Sequence, residues 1–362
     1  MSAAPSHAEH RILFAGTPET AVPSLDALVE AGFTVAAVLT RPDAPVGRKK
    51  ILTPSPVAAR AAELGLPVLH ASRLTGEAGR ETLERIAALE LDAAAVVAYG
   101  ALVPAAGLTL PRHGWVNLHF SLLPAYRGAA PVQHAVLRQE TQTGACVFQL
   151  EEGLDTGPVF SRIARDLVPG ETSGEVLADL ALSGAGLLAR TLADILAGTA
   201  TAEPQRGTPS FAPKLDQSDG FIDPASPAAE VAARINGTTP EPGAWAWLDG
   251  PESPVRVKLA GAVAEEVADA VPGSAGERTG VVGELVRGRR TVHLQCADAA
   301  VRLVQVQPAG KKPMTAADWA RGLPAGARFR SADSPSRDTA AGTTADTTAH
   351  TTADTTAEKE TS

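Results

Sequence analysis

The sequence predicts an α/β fold, a parallel sheet covered by helices, followed by a small β-barrel. Three observations predict it. The chain has 362 residues, longer than one ordinary domain. Strand-like and helix-like runs alternate through residue 198, and the strands are continuously apolar, as in parallel sheets buried on both faces. From about Lys214 the texture changes to short strands separated by turn residues, the pattern of a small barrel.

The elements follow in order. Arg11–Ala15 (RILFA) is an apolar strand closed by Gly16. Thr17 and Pro18 open a helix that runs to Ala31 and is stopped by Gly32, the usual placement of the two helix-end residues. Phe33–Thr40 is the next strand, Ser55–Leu64 a helix, Pro67–Leu69 a short strand and Gly76–Leu89 a helix. Ala93–Tyr99 (AAAVVAY) is a buried strand ended by Gly100. Glu175–Gly198 is a long helix, and residues 199–213, rich in Thr, Ala, Pro and Gly, read as a linker. Beyond it, Ala228–Ile235 is helical. Strand candidates lie at Gly243–Leu248, Val255–Ala262, Gly280–Glu284, Thr291–Cys296 and Val301–Val306. Residues 331–362 are low in complexity and hold too little apolar material to offset chain entropy, so this tail is expected to be disordered, as are residues 1–9.

Composition narrows the classes. Hydrophobic residues make up 44% of the chain and aromatics 4%, so the cores are expected to be built from Ala, Val and Leu. Cys146 and Cys296 are far apart and fit neither a metal pattern nor a disulfide framework. Two buried thiols in a reducing, cytoplasmic setting are expected. No signal-like segment opens the chain, and no stretch is read as a membrane span. The net charge is −9, yet Arg256 to Arg330 holds twelve bases against seven acids. A basic module in an acidic chain fits a polyanionic partner, and it fits an ordinary mixed surface about as well.

The chemistry is expected in the loops at the carboxyl ends of the strands. In Gly114–Pro131 (GWVNLHFSLLPAYRGAAP), Val116, Leu118 and Phe120 alternate with Asn117, His119 and Ser121. Asn117 and His119 therefore share one face of a strand, about 7 Å apart. Two polar groups on an otherwise apolar strand break the binary pattern, as functional sites often do. The Ser121-Leu122-Leu123-Pro124 turn ends the strand and can offer main-chain groups to a planar polar ligand. A second segment, Thr143 to Gly157, is a strand followed by a tight loop in which Asp155 lies between Gly153 and Gly157. A histidine can manage a proton near neutrality, a carboxylate can orient the ring and stabilise its charged form, and an Asn amide can donate to a developing oxyanion. Together they describe attack of a nucleophile on a carbonyl. Taken singly, a strand histidine is more often a satisfied core residue, and an Asp in such a loop can simply make an Asx-turn. No nucleophile elbow, metal-ligand spacing or dinucleotide Gly-x-Gly-x-x-Gly turn is present.

Those segments carry a resemblance. Asn117-Leu118-His119-Phe120-Ser121-Leu122-Leu123-Pro124, Arg127-Gly128-Ala129-Ala130-Pro131 and Gly153-Leu154-Asp155-Thr156-Gly157 resemble the signature of formyltransferases that use 10-formyltetrahydrofolate. The segments Phe14–Pro18, Arg41–Pro56, Val97–Gly100, Pro242–Trp245 and Gln307–Lys312 extend the likeness over about residues 10 to 325 and point to the branch that acts on initiator methionyl-tRNA.

The resemblance implies a Rossmann-like catalytic domain over 10–198 and an OB-like tRNA-binding barrel over 214–330. It implies 10-formyltetrahydrofolate as co-substrate, no metal, and the α-amine of methionine on initiator tRNA as acceptor. His119 would manage the proton, Asn117 steady the oxyanion and Asp155 position His119. Ser121, Leu122, Leu123 and Pro124 would line the folate. Arg48 would wedge near the acceptor end, while Lys49, Lys50, Lys311 and Lys312 would meet phosphates. A monomer without membrane attachment is expected. Two departures stand out: Lys49 replaces a glycine common in that loop, and Ala125 replaces a common arginine. A sibling enzyme acting on a nucleotide or sugar amine, or a 10-formyltetrahydrofolate hydrolase, are the alternatives. The basic second domain and the Gly47–Lys50 loop weigh against them.

Overall fold

A computed structural model of the chain describes residues 7–47, 49–250, 253–265 and 280–332. Arg48, the first six residues and the tail from residue 333 therefore lie outside the described residues. The first domain contains β1 (Arg11–Gly16), α1 (Val22–Glu30), β2 (Thr34–Thr40), β3 (Ala44–Val46), β4 (Ile51–Thr53), α2 (Pro56–Glu63), β5 (Val68–His70) and α3 (Gly76–Ala87). It continues with β6 (Ala93–Val97), α4 (Ala105–Leu108), β7 (Trp115–His119), α5 (Pro131–Leu137), β8 (Gln142–Gln149), β9 (Val159–Asp166) and α6 (Ser173–Leu196).

Seven strands form one sheet in the order β5-β2-β1-β6-β7-β8-β9. The first five run parallel, as the apolar strands predict, and β8 and β9 extend the sheet antiparallel. Apolarity does not encode this difference: β8 is buried over six consecutive residues and reads like a parallel strand. Strand β1 shows why the sheet is covered on both sides. Ile12 and Phe14 pack with Leu25, Val57, Leu180 and Leu188 on one face, while Leu13 and Ala15 pack with Leu74, Ile86 and Trp115 on the other.

Local chemistry sets several boundaries. Helix α6 begins two residues before Glu175 because Thr172 and Glu175 form a reciprocal capping box. By length and composition this 24-residue helix is apolar enough to cross a membrane, contrary to the expectation that no stretch would be. Here its apolar side, including Val176, Leu180, Leu188 and Leu192, is buried in the first core. The β3–β4 hairpin was not legible because all six of its residues are exposed and carry no burial period.

The second domain contains α7 (Ala228–Gly237), β10 (Ala244–Leu248), β11 (Val255–Ala264), β12 (Leu285–Arg287), β13 (Val292–Gln295), β14 (Ala300–Pro308), β15 (Met314–Thr315) and α8 (Ala316–Ala320). Its strands pair in the order β10-β11-β14-β13-β12, with β15 beside β14. Residues 327–330 close the barrel between its two edges. Leu248 bridges Phe329, and Glu284 bridges Arg328. Strand β12 starts at Leu285, beyond the expected Gly280–Glu284. The Val281-Val282 pair suggests a strand, but Gly283 takes φ +86 and the Val281 N–H donates to the Glu284 carboxylate, which makes a turn.

The segment joining the domains runs along the first of them. Val159 and Glu203 exchange main-chain hydrogen bonds, and Arg127 does the same with Ser210 and Ala212. The connection therefore reaches the loop that follows β7.

Candidate functional site

Strand β7 delivers Asn117 and His119 to a cavity of about 830 Å³ beyond the carboxyl ends of β6 and β7. Its wall also includes Tyr99–Ala105 from the loop after β6, Gly128, and Leu150–Asp155 from the β8–β9 loop. The strand alternation predicted the shared face of Asn117 and His119, and both lie on the wall with Asp155. Gly157 permits the turn that brings Asp155 in, since a Cβ there would sit 1.8 Å from the Gln149 carbonyl oxygen. Asp155 itself is in the left-handed region, φ +50, one that Asp tolerates better than most residues.

The side-chain geometry is specific. His119 is buried, and its Nδ1 lies 3.8 Å from Asp155 Oδ2. Its Nε2 lies 2.9 Å from the Tyr126 carbonyl oxygen. The ring is thus hydrogen-bonded by Tyr126, and Asp155 acts on it through charge. Asp155 Oδ2 accepts from the Gly128 N–H at 2.7 Å, and its carbonyl accepts from Gln205 Nε2 at 2.7 Å. Gln205 Oε1 in turn accepts from the Arg127 guanidinium. Burial pushes the His119 pKa below its ordinary value, while the Asp155 carboxylate and the Tyr126 carbonyl pull it back up. The ring is accordingly suited to start neutral and accept a proton.

Neither neighbouring thiol nor hydroxyl is a covalent nucleophile. Cys146 pairs directly with His119 across the β7–β8 ladder, but burial pushes its thiol up to about 11, far from the thiolate form. Ser121 Oγ is spent on the Ala125 carbonyl at 2.6 Å.

The turn residues expected to line the folate are placed differently from the trio. Ser121 to Pro124 are not on the wall of this cavity. Leu123 packs among Cys146, Phe148 and Val159, and the Leu123–Pro124 peptide is cis. The four residues form the bend that returns the chain as Tyr126–Gly128. Lys49 and Lys50 are exposed at the tip of the β3–β4 hairpin, and Lys50 takes φ +48. Lys311 and Lys312 are exposed in the turn between β14 and β15. Among the described residues none of these four lysines has an ion pair. At the hairpin's root, Arg41 Nη1 donates to the Gly100 carbonyl at 2.9 Å, which ties the basic hairpin to the cavity wall.

Sequence reasoning missed Tyr126, Gly128, Gln205 and Ser210. All four act through main-chain groups or from the connecting segment. The one available signal was the conspicuous Tyr126-Arg127-Gly128 run.

Residues 10–192 match the model of the formyl transferase family, and residues 214–324 match that of the formyl transferase C-terminal domain. The chain is 56% identical over 312 residues to a methionyl-tRNA formyltransferase of Arthrobacter sp. (strain FB24), covering 86% of this chain and 96% of that one. The chain belongs to the methionyl-tRNA formyltransferase family. A methionyl-tRNA formyltransferase of Streptomyces coelicolor is 47% identical, with coverage of 86% and 96%. The fold also recurs in an N-formyltransferase of Helicobacter canadensis solved with folinic acid and dTDP-3-aminofucose. That structure has a TM-score of 0.59 at 15% identity, with 81% of this chain and 98% of that chain covered. Methionyl-tRNA formyltransferase membership thus spans both domains, and the whole cavity falls within the part matched by the first family model.

Proposed function

We propose that the cavity beyond β6 and β7 is where this chain transfers the formyl group of 10-formyltetrahydrofolate to the α-amine of methionine on initiator tRNA. The observation that carries the reading is the convergence of Asn117, His119 and Asp155 on one cavity wall. The co-substrate supplies a formyl carbon that is attacked by the amine, and its nitrogen leaves as the N–H of tetrahydrofolate. Asn117 donates its carboxamide N–H to the formyl oxygen as charge builds there. His119 takes a proton from the attacking amine and returns it to the departing nitrogen, so the ring ends as it began. Asp155 stabilises the positive ring in between, at 3.8 Å. The apolar wall from Ala101 to Leu108 suits the flat ring system of a folate. Ser121, Leu122, Leu123 and Pro124 serve it as the bend that presents Tyr126–Gly128.

The tRNA is assigned to the basic hairpin and the second domain. Arg48 is assigned to the acceptor end, and Lys49 and Lys50, with Lys311 and Lys312, to phosphates, which give affinity and salt dependence. The exposure of the four lysines supports this. Action as a monomer in the cytoplasm, away from membranes, completes the proposal. The buried apolar side of α6 supports the absence of a membrane span, and the two free thiols support the cytoplasm.

The test is formyl transfer from 10-formyltetrahydrofolate to methionyl-initiator-tRNA, beside nucleotide and sugar amines. Transfer to small amines alone overturns the acceptor. Formate release at full rate without tRNA makes the chain a hydrolase.

A further inference from the structure

The turn from Tyr126 to Gly128 touches both His119 and Asp155 through its main chain. His119 Nε2 faces the Tyr126 carbonyl oxygen at 2.9 Å. A carbonyl has no proton to give, so Nε2 carries the hydrogen and the neutral ring keeps its lone pair on Nδ1. Nδ1 is 3.8 Å from Asp155 Oδ2, longer than a hydrogen bond. That oxygen is already engaged by the Gly128 N–H at 2.7 Å. The lone pair on Nδ1 is therefore left to the substrate, with a carboxylate nearby to stabilise the charged ring.

The carbonyl that imposes this state is held more firmly than a turn requires. Tyr126 takes φ +59, a conformation that is unfavourable for a bulky residue and persists only where surroundings enforce it. Its N–H donates to Ser210 Oγ at 2.9 Å. Its hydroxyl donates to the Glu140 carboxylate, and the Arg138 guanidinium lies 5.3 Å over its ring. Tyr126 is not on the cavity wall, so it does not touch substrate there.

We propose that Tyr126 is a positioning residue. Its main-chain carbonyl fixes His119 as the Nε2–H tautomer, so that Nδ1 is the atom that takes the proton from the amine, and Glu140 and Ser210 hold that carbonyl in register. This rests on the reading that His119 moves the proton.

The test uses the full chain with ¹⁵N-labelled histidine. Long-range ¹H–¹⁵N correlations of His119 above pH 8 report the tautomer directly. The wild-type protein is expected to show Nε2–H, and an Nδ1–H ring overturns the proposal without any variant. In Tyr126→Phe, which removes only the hydrogen bond to Glu140, the tautomers should mix. Turnover should then fall by about tenfold, in step with the smaller share of the competent form, while KM for both substrates changes less than about twofold. Glu140→Gln, which keeps an acceptor for the hydroxyl, should stay close to wild type on both readouts. Wild-type tautomer and turnover in Tyr126→Phe, or a change in KM alone, overturn the positioning role. His119→Ala at wild-type turnover overturns the underlying reading instead, and it leaves the tautomer result standing, so the two failures are distinct.

Discussion

The main-chain N–H of Gly128 donates to the carboxylate of Asp155 across 2.7 Å. Gly128 sits at φ +124, and a Cβ there would come within 2.6 Å of the Ala212 carbonyl oxygen. Backbone, with no flexible side chain to yield, blocks the space. Gly128→Ala should therefore cost about 1–3 kcal/mol in stability and lower turnover through the displaced Asp155. Urea denaturation and steady-state formylation read both, and an unchanged midpoint with unchanged turnover refutes the close-approach argument.

Removing the groups on the cavity wall should separate chemistry from binding. His119→Ala and Asn117→Ala are each expected to lower kcat by roughly 10²–10³-fold. Binding of tRNA should stay close to normal, because the proposed phosphate-binding lysines lie elsewhere. Single-turnover rates beside a tRNA binding titration make the comparison.

The pH dependence has a definite sign. Burial holds the His119 pKa below its ordinary value of 6.5, and the proton acceptor must be neutral. The acidic limb of kcat/KM should therefore lie below pH 6.5. Asp155→Asn removes the carboxylate that pulls the pKa up, so the limb should move lower still while turnover falls. Stability follows the same linkage: the unfolded chain protonates this ring at a higher pH than the folded one. Its contribution to the folded state is thus complete above the unfolded pKa and is lost as pH falls through the folded one. A rate limb assigned to His119 above pH 6.5 would contradict the burial argument.

The exposed lysines should reveal themselves in salt. Replacing Lys49 and Lys50, or Lys311 and Lys312, with Ala should weaken tRNA binding at low salt. It should also reduce the slope of log K against log salt by about 1 for each phosphate no longer neutralised. A slope unchanged in both double variants would remove these residues from tRNA binding.

Much of the fold was legible because burial writes a period into the sequence. The apolar runs of β1, β2 and β6, and the shared face of Asn117 and His119, could be read directly. Three features could not. The direction of β8 leaves no mark on its composition. The β3–β4 hairpin buries nothing, so it has no pattern to read. The hydrogen bonds from Tyr126 and Gly128 to the trio come from main-chain atoms, which every residue possesses, so residue type does not announce them. Ser121 to Pro124, expected from the motif to line the folate, lie in the bend after β7, where the Ser121 hydroxyl donates to the Ala125 carbonyl.

The segment between the domains has a consequence for dissecting and recombining this enzyme. A catalytic fragment ended at Gly198 would keep Asn117, His119 and Asp155, but it would discard Gln205, which ties Arg127 to the Asp155 and Gly157 carbonyls, and Ser210, which holds Tyr126. The smallest transplantable module therefore ends after Ala212. A chimaera that exchanges second domains should place its junction at or beyond Pro213, where the borrowed barrel arrives without carrying off part of the host's catalytic scaffold.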